Sequence, residues 1–151
     1  MIDIDNLIRV SSIDYKNNKT EKYKHILETY KLIKAKFVEF KTAKNAKPLD
    51  DKNTVAILNK MLKERLDTAN IYKMAKRFEL AESEQFEADI IKGLLPKEAN
   101  SEDIEKAVKN YISENGDIAQ KEMGKVIKEI KSHFDNCNGK LLSDIVKKYI
   151  K

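Results

Sequence analysis

The sequence predicts an all-α protein, built as an amino-terminal assembly of long helices followed by a carboxy-terminal three-helix bundle. Three observations predict it. Apolar residues recur at gaps of three and four through most of the chain. Only four glycines and two prolines occur in 151 residues, too little turn chemistry for an all-β fold. Hydrophobic residues make up 41 %, enough for a packed core despite 36 % charged residues.

The elements follow in order. A short amphipathic stretch covers about residues 3–15. Over residues 20–45, Tyr23, Ile26, Leu27, Tyr30, Ile33, Phe37 and Phe40 form one stripe. Pro48 closes this segment, because the residue before a proline avoids the α region. Asp50 or Asp51 can cap the next helix by accepting from its free N–H groups. That helix carries Val55, Leu58, Met61, Leu62, Leu66, Ala69 and Tyr72 inward. A further helix over residues 79–95 presents Phe86, Ile90 and Leu94.

Pro96 marks the expected boundary between a domain of residues 1–95 and one of residues 96–151. Three short helices are expected beyond it. The first, residues 101–114, turns Ile104, Val108, Tyr111 and Ile112 inward and stops at Asn115-Gly116. The second, residues 120–134, uses Met123, Val126, Ile127, Ile130 and Phe134. A loop over residues 135–139 leads to the third, residues 140–150, with Leu141, Leu142, Ile145, Val146 and Tyr149 inward.

Several function classes find no support. Cys137 is the single cysteine, so an intramolecular disulfide and a cysteine-rich zinc site are excluded. His25 and His133 lie far apart, without carboxylates at ligand spacing, so no metal or other cofactor is expected. His133 and Cys137 are separated by a helix end and a loop, a poor arrangement for a Cys–His pair. Phosphate-cradling glycine loops and nucleophile elbows are missing. The carboxylates Glu79, Glu82, Glu84, Glu87 and Asp89 read as a solvated face paired with lysines, and no catalytic residue is assigned. No run of ~20 apolar residues is present and the acidic start lacks signal-peptide shape, so the expectation is a cytoplasmic protein with no membrane partner.

The basic residues carry the functional reading. Between Thr20 and Lys47, eight lysines face three glutamates, an excess equal to the whole chain's net charge of +5. Lys31, Lys34 and Lys41 share a face there. Near the carboxyl end, Lys121, Lys125 and Lys128 share a second face beside the Met123/Val126/Ile127 stripe. Gly124 sits in that first turn, where glycine costs about 1 kcal/mol relative to alanine. Two accounts compete: close helix–helix packing, or close approach of a phosphate to the helix start. The lysine rows likewise read either as a solvated face or as a nucleic-acid contact.

The motifs resemble a known family. Val55-Ala56-Ile57-Leu58-Asn59-Lys60-Met61-Leu62-Lys63-Glu64-Arg65-Leu66-Asp67 is similar to the middle helix of the YqeY-like proteins. The stretch from Glu79-Leu80-Ala81-Glu82 through Leu94-Leu95-Pro96 resembles their acidic helix with its Leu-Pro stop. Met123-Gly124-Lys125-Val126-Ile127 and Asn138-Gly139-Lys140-Leu141-Leu142 resemble two further motifs. Two departures stand out. Lys76-Arg77 replaces a usual Gly-Arg, and Asn138 replaces an aspartate before Gly-Lys.

The resemblance implies a two-part helical fold shared with the carboxy-terminal tail of GatB, a component of the aspartyl/glutamyl-tRNA amidotransferase. In that enzyme the tail helps hold tRNA and the chemistry lies elsewhere. It therefore implies a noncatalytic tRNA-binding or tRNA-amidotransferase-related accessory role, with phosphates met by Lys121, Lys125, Lys128 and Lys140 and by amides near Gly124. A carbon–nitrogen ligase label with glutamine as amide donor would be inherited from the larger enzyme, since no amidase or ATP-site motif is present. The rival expectations are a helical protein–protein adaptor, whose long amino-terminal helices dock a partner, and an auxiliary factor in glutamine-dependent amidation of mischarged tRNA; the partners expected are tRNA and a tRNA-modifying enzyme or other protein.

Overall fold

A computed structural model describes residues 2–150. Seven α-helices account for most of it: α1 Ile4–Asn17, α2 Glu21–Thr42, α3 Asp51–Met74, α4 Phe78–Leu94, α5 Ser101–Asn115, α6 Met123–Ser132 and α7 Gly139–Lys148. Among the described residues there is no strand; Ile118 and Ile150 form an isolated parallel bridge. The chain divides into two compact units, one ending at Leu95 and the other beginning at Pro96.

In the first unit α1 packs on α2, and α3 and α4 form a closely packed hairpin that α2 partly covers. Short polar side chains start the helices. Asp3, Thr20 and Asp50 accept from Asn6 N, Tyr23 N and Asn53 N, each filling an otherwise orphan donor. Asp50, not Asp51, is the α3 cap, at 2.8 Å. Ile33 and Phe37 of α2 meet Leu58 and Met61 of α3 and Ile91 of α4 in one core. Full burial of such side chains is worth about 1.5–3 kcal/mol each.

Three expectations need correction here. On α4 the most deeply buried positions are Ala81, Ala88 and Ile91, whereas Phe86, Ile90 and Leu94 are half-buried. Small residues on the contact face let α3 and α4 approach closely, and alanine leaves no apolar stripe to read. Leu66 is exposed although its spacing places it on the α3 stripe; at this level α2 engages the neighbouring Arg65 through Glu87 and His25 instead. Helix α2 ends at Thr42 rather than near residue 45.

The α3–α4 turn explains the lysine that replaces a glycine. Lys76 has φ +58°, in the left-handed region. Its N–H donates to the Lys73 carbonyl at 3.0 Å, and that of Arg77 reaches the Tyr72 carbonyl at 2.8 Å. This pair of bonds is the Schellman closure, whose left-handed position ordinarily takes glycine.

The second unit surrounds Ile104, Val108, Ile118, Val126, Ile130, Leu142, Ile145 and Val146. Gly116 (φ +81°) ends α5 with its N–H on the Ile112 carbonyl at 2.8 Å. A 3-10 turn over Gln120–Glu122 runs directly into α6. The loop before α7 is anchored by Asn136, buried, whose Nδ2 donates to the Pro96 carbonyl at 3.0 Å. The Asn136 carbonyl in turn accepts from Ala99 N at 2.9 Å.

Candidate functional site

Lys121, Lys125 and Lys128 are all exposed, the first in the 3-10 turn and the other two on α6. Val126 and Ile130 turn α6 inward, which forces the intervening lysines out. Lys140 is exposed in the first turn of α7, just after the cap Asn138 accepts from Leu141 N at 3.0 Å. Asparagine caps this start without adding charge, and no acidic residue occupies the first turn of either α6 or α7. The positive end of the α7 dipole therefore lacks a local carboxylate, whereas α6 carries one on its N-cap residue, Glu122. Ten residues of α6 span about 15 Å, so the lysines form an extended row and not a pocket.

Gly124 is exposed, and a Cβ built there would meet nothing within 4 Å. Close helix–helix packing is thus not the reason for glycine at this position. The amide account narrows as well. The 3-10 turn already occupies two N–H groups, with Glu122 N on the Ala119 carbonyl and Met123 N on that of Gln120.

Sequence spacing missed Lys131. Its Nζ lies 3.9 Å from the position of a Cβ on Gly139, so this cation sits over the start of α7, close in sequence to Lys140. The face of α6 that carries Lys128 thereby continues toward Lys140. Only the packing of α6 on α7 reveals it.

Cys137 lies buried in the core of the second unit, and burial pushes its thiol above the ordinary range. His133 is exposed. Among the described residues, no group of three or more His, Cys, Asp or Glu is arranged to hold a metal ion.

The first unit holds the strongest polar cluster. Glu87 Oε1 lies 3.1 Å from His25 Nε2, and its Oε2 accepts from Arg65 Nε at 3.1 Å. Arg65 and Glu87 are only 18 % and 17 % exposed. This corrects the reading of Glu87 as part of a solvated face paired with lysines. Each of its oxygens already serves a partner, so the carboxylate acts as a tie among α2, α3 and α4. Burial, then the neighbouring Glu87 charge, raises the Glu84 carboxyl above its usual range. A signal did exist: the chain uses three arginines against 27 lysines, and arginine suits a fixed, partly buried ion pair.

The amino-terminal lysine row is less available than its charge suggests. Lys34 is bound to Asp5 at 2.6 Å, beside an open cavity of about 410 Å³ floored by Ile2, Ile4, Phe37 and Leu49. Lys31 and Lys41 remain exposed.

Fold and site together define an all-helical, two-unit protein that displays cations on an open surface. The chain belongs to the YqeY-like family: the family model described as Yqey-like protein matches residues 11–150. No curated protein matches it. Among the described residues, no helix is long and apolar enough to cross a membrane.

Proposed function

We propose that the chain is a noncatalytic module that holds folded RNA, with tRNA the first candidate. One observation carries this reading. Lys121, Lys125, Lys128 and Lys140 all face solvent, the first two close in sequence to the open position Gly124 and the last at the start of α7, and no ion pair engages them among the described residues. A row of unneutralised cations on a rigid helix suits successive phosphates, which position an RNA without reading its sequence. Lys131 extends the row toward α7. The family's relation to the tRNA-holding tail of the amidotransferase supports tRNA over other RNAs, and an accessory role beside such an enzyme follows as the physiological setting.

The test is a tRNA titration across salt concentrations. Four phosphate contacts give a slope of log K against log salt of about −3 to −4. Lys125→Glu is expected to weaken binding and flatten that slope. Absence of binding at low salt, or an affinity indifferent to both salt and Lys125→Glu, overturns the reading.

A further inference from the structure

The far end of the α3–α4 hairpin carries a surface that the lysine row does not explain. Ile71 is 64 % exposed, Met74 86 % and Phe78 60 %. From residue 70 through residue 80 every position is exposed except Tyr72, which is half-buried. Leu66 and Leu80, behind the tip, are exposed as well. Three large apolar side chains this exposed within residues 71–78 suit an interaction site, whereas single exposed leucines do not.

The other half of the same hairpin shows what is missing. There α2 lies across α3 and α4 as a third layer, with Ile33 and Phe37 seated on Leu58, Met61 and Ile91. Beyond Ala69 and Ala81, the last buried positions toward the tip, no third element follows among the described residues. Two helices alone leave their outer apolar positions in water.

Charge selects the occupant. Residues 71–78 include Lys73, Lys76 and Arg77 and no acid. Glu79 adjoins Phe78, and farther from the turn stand the exposed carboxylates Asp67, paired with Lys63 at 3.6 Å, and Glu82. A uniformly anionic partner, whether phospholipid surface or RNA, would meet the cations but be repelled by those carboxylates. It would also make little use of isoleucine and methionine if it were RNA. Two copies of this chain meeting tip to tip would oppose like charges. A protein segment can place its own charges in register with both groups.

We propose that the α3–α4 tip docks an amphipathic helix of another protein, acidic where it crosses Lys73, Lys76 and Arg77, which completes the missing third layer. Ile71 and Met74, at the end of α3, and Phe78, at the start of α4, meet its apolar face. This surface is separate from the lysine row, so RNA binding and helix docking stand or fall independently.

The experiment places a photo-crosslinking residue at Ile71 of the full chain, in its own cells, with Lys52, exposed at the opposite end of α3, as the control site. Mass spectrometry maps the adduct. The expected adduct at the Ile71 site, absent at the Lys52 site, is one protein segment with apolar residues at helical spacing and an excess of acids. A synthetic peptide of that segment is expected to bind the purified chain, and Met74→Asp and Arg77→Glu each to weaken it about tenfold or more. Both substitutions lie on exposed positions, and an unchanged melting temperature shows that the fold is intact. Adducts on RNA, on phospholipid or on a second copy overturn the proposal. So does the absence of an adduct, a segment without acidic excess, or a peptide affinity that neither substitution changes.

Discussion

Glu87 and Arg65 join α4 to α3 through a 3.1 Å hydrogen bond, and the second carboxylate oxygen of Glu87 engages His25 of α2. Removing the shared partner leaves the largely buried Arg65 guanidinium with only the longer contact to Glu64, at 3.9 Å. Glu87→Ala is therefore expected to destabilise the first unit by about 2 kcal/mol. Glu82→Ala, on an exposed position of the same helix, is expected to stay within about 0.5 kcal/mol of the parent. Urea unfolding of both variants checks the contrast.

Lys76 holds a conformation that glycine adopts without steric cost. Lys76→Gly is expected to stabilise the chain by about 1 kcal/mol, the penalty of a side chain in the left-handed region less the added freedom of the unfolded glycine. The same urea measurement decides it. A loss of stability would show that the Lys76 side chain contributes more than its backbone costs.

Gly124→Ala separates stability from binding. A Cβ meets no neighbour there, so the helix propensity of alanine should appear almost undiminished, as about 1 kcal/mol of added stability. If a phosphate approaches this backbone closely, the same methyl weakens tRNA binding. A variant that melts higher and binds tRNA less tightly is the expected outcome of paired melting and titration experiments.

The pH response contains opposing contributions. A hydrogen bond from Lys34, reinforced by its charge, lowers the Asp5 carboxyl, and a hydrogen bond from Tyr149 lowers that of Glu105. Their folded pKa values lie below the unfolded ones, so the stability they contribute is present above the ordinary carboxylate range and is lost as pH falls through the folded values. Glu84 runs the other way. Its raised pKa means that the folded state binds the proton more tightly, so its contribution declines as pH rises from the unfolded value to the folded one. Glu84→Gln is expected to stabilise at neutral pH by about a few tenths of a kcal/mol, discounted for solvent screening. The gap to the parent closes below the ordinary carboxylate range. Urea midpoints across pH measure it.

Sequence spacing carries far where one helix settles the matter alone. The inward residues of α5, α6 and α7 follow directly from gaps of three and four, and the Asp50 cap and Gly116 stop depend on a few neighbouring residues. The exposed lysines of α6 follow from the same periodicity. It carries less where two helices must meet. Ala81 and Ala88 become the α4 contact face only against α3, and small size gives no apolar signal. Glu87 finds His25 and Arg65 across sequence separations of 62 and 22. Lys131 joins the candidate site only because α7 begins beneath its amine.

The burial of Cys137 gives the second unit a reporter of its own. A thiol sealed among core residues meets an alkylating reagent only when that packing comes apart. With no second sulfhydryl in the chain, the pace of labelling reads how often those three helices part.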